Sequence, residues 1–230
     1  MKQLVKILLG LAALVFVLLA CGSAWLLFYS RDLPDIEHLS DFAPPIPKQV
    51  TDACLDRPVA AVPLDQIGSN LRTAARTVGV DLNRNGALRS LFSQLPRATV
   101  STQIARTLFC NSRDRMLTRH FKELRTAIQL DRRFSKEDLL AIYLNRVYLG
   151  ESGIGVENAS QALFHKSSSN LTTAEAALVA GLIRSPTRDS PFRHPDRALA
   201  RRNEVLEAMV AAGVLPPAEA QSAMSAPLLD

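Results

Sequence analysis

Hydrophobic positions along this chain of 230 residues follow two regimes. Between Ile7 and Tyr29 they are continuous: "ILLGLAALVFVLLACGSAWLLFY" runs uncharged for about 23 residues, enough to cross a bilayer as a tilted helix. From about Val62 onward they recur at the spacing that places them on one face of a helix. "LDQIGSNLRTAARTV" aligns Ile67, Leu71, Ala74, Ala75 and Val78 in this way, and "GVDLNRNG" follows as a loop. A second helix is expected over Val100 to Phe109. A longer one follows from Arg115 to Asp131, with Met116, Phe121, Leu124, Ile128 and Leu130 among its apolar positions. Two capping boxes open the next pair, Ser135 with Asp138 before "LLAIYLNRVYLG" and Thr172 with Glu175 before "AALVAGLIRSP". Gly150 is expected to cap the first in the left-handed conformation, and Pro186 closes the second. "PDRALARRNEVLEAMVAAG" reads as an amphipathic helix ending near Gly213, and "PPAEAQSAM" as a short last one. No convincing β pattern and no internal repeat interrupts the series, so the folded part is expected to be all-α. Residues 30–61, rich in Pro and Asp and without a period, read as an extended linker. The expected organisation is residues 1–6 as a cytoplasmic N-terminus, 7–29 as a transmembrane anchor, 30–61 as linker and 62–230 as the folded domain.

Lys2 and Lys6 precede the apolar run, so the positive-inside rule leaves the N-terminus cytoplasmic and everything after Ser30 across the membrane. Two other readings stay open. A cleaved signal peptide ends its apolar region at small residues, whereas this run continues through Trp25 and Leu27. "LLAC", ending at Cys21, looks like a lipidation box, but the hydrophobic run does not stop at that cysteine. An uncleaved anchor accounts for the run best. In the exported part only Cys54 and Cys110 remain, as a disulfide in an oxidising compartment or as two buried thiols, and their spacing matches no metal pattern. The formal net charge of +5 suits a protein near anionic headgroups or a phosphate-bearing substrate. It is too small to imply nucleic acid, and no basic patch is interleaved with aromatics.

The stretch "KEDLLAIYLNRVYLGESGIGVENASQALFHKSSSNLTTAEAALVAGLIRSPTRDSPFRHPDRALARRNEVLEAM" resembles the second half of the peptidoglycan glycosyltransferase (transglycosylase) domain of monofunctional glycosyltransferases and class A penicillin-binding proteins. The shared features are the "YLN....G" helix end, the "GVE.A" turn, the "LT..EAAL.AGL" helix and the "RRN.VL..M" helix. Upstream, "LPDIEHLSDFAPP" and "VPLDQI" look like the stretch between that family's anchor and its domain. The resemblance implies an all-α, lysozyme-like fold with a head and a reduced, membrane-associated jaw behind one N-terminal transmembrane helix. It implies a bacterial inner-membrane, single-pass protein with its domain in the periplasm. The family polymerises lipid-linked disaccharide pyrophosphate into glycan strands, and a chain ending at Asp230 without a transpeptidase domain would be of the monofunctional type.

Glycosyl transfer from a pyrophosphate donor needs a base for the attacking hydroxyl and cationic or hydrogen-bonding groups for the leaving pyrophosphate. By resemblance, "RHFKE" is an altered form of the family's "RK..E" motif. Arg119 and Lys122 would contact the pyrophosphate, His120 stands where the family has lysine, and Glu123 is the second catalytic acid. "RATVSTQIART" would correspond to "GGSTITQQLAKN", giving Thr99, Ser101, Gln103 and Arg106 as substrate-binding groups. The reading of the residues alone is different: a charged helix face and an ordinary capped helix start. The family's first acidic motif, "ED..F..H.G.D", survives only as Gly79 and Asp81. No glutamate occurs between Glu37 and Glu123, so Asp81 is the candidate stand-in base. Ala141 likewise replaces a glutamate usual in "IL.E.YLN".

Two functions follow from the resemblance: a peptidoglycan glycosyltransferase using an unusual base, or a catalytically impaired relative that binds precursor or glycan strands or scaffolds an envelope complex. The balance tips toward the second, because a missing base among altered neighbours is costly. A helical adaptor unrelated to glycans would require the ordered motifs to be coincidence. The expected partners are the lipid-linked precursor or a glycan strand, the membrane and a cell-envelope protein. A divalent metal, Mg or Mn, at the pyrophosphate is the one cofactor the resemblance allows, and the scattered histidines suggest no protein metal cage.

Overall fold

The computed structural model describes residues 15–17, 19–24, 36, 37, 39, 61–77, 99–109 and 116–229. Its helices from residue 61 onward are α1 Ser69–Thr77, α2 Val100–Leu108, α3 Met116–Arg133, α4 Lys136–Arg146, α5 Val156–Phe164, α6 Thr173–Leu182, α7 Pro195–Ala211 and α8 Pro217–Ser225. Among the described residues there is no strand, and an isolated antiparallel bridge joins Tyr148 to Ile154.

The core is built around α6. Its residues Ala174 and Ala176 through Leu182 are all buried, as expected of a helix that is apolar on every side, and α1, α5, α7 and α8 pack against it. Gly181 allows α7 to come close, since a Cβ there would sit 3.1 Å from Arg201 Cγ. The capping box at its start is complete: Thr172 Oγ1 accepts from the Glu175 N–H at 3.3 Å, and Glu175 Oε2 accepts from the Thr172 N–H at 2.8 Å. Lys166 adds an ion pair to Glu175 at 2.6 Å. Burial alone would raise the Glu175 carboxyl, but the Lys166 hydrogen bond and the Thr172 caps outweigh it and hold the group below its ordinary range. The Ser135/Asp138 box likewise opens α4. Further along, Arg202 is buried and donates to the carbonyls of Met224, Ala226 and Pro227 at 2.8 to 3.0 Å, tying the end of α8 to α7.

Asn145, the asparagine of "YLN", is fully buried and joins the entry of the body to α4. Its Oδ1 accepts from the Val62 N–H at 2.9 Å, and its Nδ2 donates to Val62 O at 2.9 Å and to Ala141 O at 3.0 Å.

Three observations differ from the sequence reading. The helix before Gly150 ends at Arg146, with extended Val147 as its C-cap, so Gly150 does not cap it. Gly150 does take a positive φ of 71°, but in a tight turn that carries the chain from Tyr148 back to Ile154, where a Cβ would meet Pro186 O at 3.0 Å. On α3, Met116 and Phe121 are exposed, and the first half of the helix turns Thr118, Lys122, Glu123 and Thr126 inward instead. Finally, the stretch read as a free linker includes residues attached to the body: Leu39 is fully buried and Ile36 packs against the core.

In the apolar N-terminal run, residues 15–17 and 19–24 are helical and expose Val15, Phe16, Val17 and Leu19. Among the described residues no helix is long and apolar enough to cross a membrane.

Candidate functional site

Apart from Asp81, the expected site residues fall on the α2–α3 pair. Thr99 caps α2 from outside, its hydroxyl accepting from the Thr102 N–H at 3.3 Å. Ser101, in the first turn, is buried and donates to Asp131 Oδ1 on α3. Ile104, Ala105 and Leu108 bury the apolar side of α2, which leaves Gln103 half-buried and Arg106 exposed on its other side.

Arg119 and Glu123 lie one turn apart on α3. Arg119 Nε donates to Glu123 Oε1 at 2.8 Å, and Arg106 Nε reaches across from α2 to within 3.7 Å of Glu123 Oε2. The Glu123 side chain is only 10% exposed, whereas those of Arg119 and Arg106 are 38% and 52% exposed. The acid therefore lies inside with its two cations outside, and the guanidinium groups keep donors available to an incoming anion. Lys122 is buried on the same helix. His120 is exposed, its Nδ1 3.0 Å from the Met116 carbonyl of its own helix.

Glu123, Arg106 and Arg119 are thus gathered into one cluster, with Lys122 beside it in sequence and Gln103 on the adjacent helix. Thr99 and Ser101 have local tasks: capping α2 and clamping it to α3. Asp81, Cys54 and Cys110 lie outside the described residues. Two residues at this pair, one on α3 and one on α4, were not foreseen. Asp131 supplies the clamp for Ser101, and its place eight residues after Glu123 on one helix was a signal that it shares the α2 interface. Arg146 reaches from α4 to Thr107 Oγ1 at 3.3 Å near the C-terminal end of α2, where a cation complements the helix dipole. Burial lowers its pKa to about 10.

Chemically the cluster offers partly exposed guanidinium groups on a buried counter-ion, an arrangement able to accept an anion. Asp131 stands about 12 Å along α3 from Glu123, by helical rise, and is already engaged by Ser101. Among the described residues no group of three or more His, Cys, Asp or Glu side chains gathers as a metal site.

Comparison with known proteins identifies the family. A family model described as Transglycosylase matches residues 79–210, more than half of the chain, and the chain belongs to that family. It is 32% identical to penicillin-binding protein 1A of Aquifex aeolicus, the match covering 99% of this chain and 34% of that protein. Against penicillin-binding protein 1A of Escherichia coli the identity is 33%, covering 88% and 26%. The chain thus spans about a quarter to a third of the length of these relatives. A provisionally named transglycosylase of Cupriavidus necator is 28% identical over 86% of each chain. The crystal structure of penicillin-binding protein 1A from Haemophilus influenzae aligns with a TM-score of 0.49 at 21% identity, covering 79% of this chain and 19% of that one.

Proposed function

We propose that this chain is a membrane-anchored, lysozyme-like transglycosylase-family protein of the bacterial inner membrane, with its domain in the periplasm. It binds lipid-linked disaccharide pyrophosphate, or the glycan strand made from it, and its polymerase turnover is lost or strongly reduced. Arg106 and Arg119, with Gln103 and Lys122, receive the pyrophosphate, and Glu123 orients the two arginines between its carboxylate oxygens. The anchor is the apolar run from Ile7 to Tyr29, whose helical part exposes large apolar side chains suited to lipid.

The observation that carries this reading is the state of Glu123. Both its oxygens face arginines, and the chain has no other glutamate back to Glu37 to act as base. A base must lie within hydrogen-bond reach of the hydroxyl it deprotonates. Asp131 is about 12 Å away along the helix and occupied. The second reading, an active polymerase with Asp81 as base, is favoured by one fact: the family match begins at residue 79 and includes that aspartate.

Titration of the purified full-length protein in detergent with labelled lipid-linked precursor tests the binding half. Saturable binding that falls about tenfold or more in Arg119→Ala is expected, from loss of a charge-assisted contact. Binding unaffected by Arg119→Ala and Arg106→Ala would reject the site.

A further inference from the structure

The two arginines beside Glu123 are held differently. Arg119, one turn away on the same helix, donates from Nε to Oε1 at 2.8 Å, a hydrogen bond of ordinary length. Arg106 comes from α2, and its Nε stands 3.7 Å from Oε2, too far for a hydrogen bond. Its side chain is also the more exposed of the two. The helix that carries it is fixed, because Ile104, Ala105 and Leu108 are buried and Ser101 donates to Asp131 on α3. The part able to move is therefore the Arg106 side chain, and a half-exposed ion pair holds it only weakly. Glu123 has the opposite character: its side chain is nine-tenths buried, a fixed negative charge behind the two cations.

An anion arriving from solvent meets Arg119 first, whose terminal amino groups lie outside the Nε bond. To use Arg106 as well, it must draw that side chain off Oε2 and tolerate the carboxylate behind. A single phosphate already satisfied by Arg119 gains little from the exchange. Two linked phosphates, one on each guanidinium, gain a second charge-assisted contact that offsets it.

We infer that Glu123 is a selectivity element: it keeps Arg106 in reserve and yields it only to a ligand with two linked phosphates, so that single phosphates bind weakly. The natural ligand in this inference rests on the pyrophosphate-binding reading above. Glu123 acts through Arg106 and needs no contact with the ligand, which makes it a positioning residue in binding.

The test is calorimetric titration of full-length protein in detergent with inorganic pyrophosphate and with orthophosphate. The proteins compared are the parent, Arg106→Ala, Glu123→Gln and the double variant. In the parent background, Arg106→Ala is expected to weaken pyrophosphate about tenfold and orthophosphate less than about twofold. Glu123→Gln is expected to tighten orthophosphate about fivefold, and in the double variant that gain should shrink below about twofold, because Arg106 supplies it. A Glu123 that merely supported the fold would weaken both anions alike when replaced. Equal losses of both anions in Arg106→Ala would overturn the proposal, as would orthophosphate binding in Glu123→Gln no tighter than the parent's, or a gain that persists undiminished without Arg106. A parent that binds neither anion would overturn it too. Arg106 is exposed, so the comparison of the two anions in Arg106→Ala decides the matter even if Glu123→Gln fails to fold. Should the selectivity appear while lipid-linked precursor is not bound, the functional reading fails and the role of Glu123 stands.

Discussion

The body around α6 and the α2–α3 pair solve the same packing problem with opposite chemistry. Around α6 the buried faces are alanine, leucine and valine, and polar groups serve as caps: Thr172 with Glu175, and Arg202 on three carbonyls. Between α2 and α3 the buried side chains include Ser101, Lys122, Glu123 and Thr126. The Thr126 hydroxyl has no hydrogen-bond partner in the structure. Such orphans cost stability in both regions, Arg72 Nε on α1 as well as Thr126 on α3, so what sets the α2–α3 pair apart is a buried carboxylate faced by two partly exposed arginines. The contrast separates residues that serve the fold from those to which the proposed function gives a ligand.

Four variants sharpen or break that contrast. The largest effect belongs to Leu178→Ala in α6, which should cost about 3 kcal/mol through lost burial and a residual cavity, read as a denaturant midpoint. Next is Tyr143 on α4, whose phenol burial pushes up to about 12 from an ordinary 10. The folded state keeps that proton while the unfolded chain loses it. Its contribution is therefore whole below pH 10 and falls away as pH rises toward 12, by about 2.7 kcal/mol for two pKa units. Stability of Tyr143→Phe measured over the same range should lack that component. Thr172→Ala removes one half of a capping box and should cost about 1 kcal/mol by thermal melting. The smallest stability effect is expected for Glu123→Gln, under about 1 kcal/mol, because the amide oxygen still accepts from Arg119 and both arginines remain hydrated. A cost as large as that of Leu178→Ala would make Glu123 a structural residue and erase the distinction between the two regions.

Much of the fold was legible because local signals and long-range packing agree. Both capping boxes form as written, the face of α1 with Leu71, Ala74 and Ala75 is buried, and the left-handed residue after α7 is Gly213. Gly150 was misread because a glycine with positive φ serves equally well in a loop turn, and only the contact with Pro186 distinguishes the two uses. α3 was read through its apolar residues, yet Met116 and Phe121 face outward. A helical period cannot say which face is inside when the inward face is built from Thr, Lys and Glu. The attachment of Leu39 was hidden for a related reason: a single buried leucine in a Pro-rich stretch has no period at all. In the candidate site, motif position singled out Glu123, Arg119 and Arg106, and their side chains do lie together. That Glu123 is buried between its two cations, and that Ser101 is spent on Asp131, are facts of three-dimensional approach between α2 and α3.

The central claim is that a substrate-binding cluster persists here without the base that would make it a polymerase. Its most direct test is electrophoretic analysis of glycan products after full-length protein is incubated with labelled lipid-linked disaccharide precursor, under conditions where precursor binding has been measured in the same preparation. The expected result is saturable binding with no ladder of polymer. A polymer ladder that disappears in Glu123→Gln or Asp81→Asn would contradict the account and show a working transglycosylase.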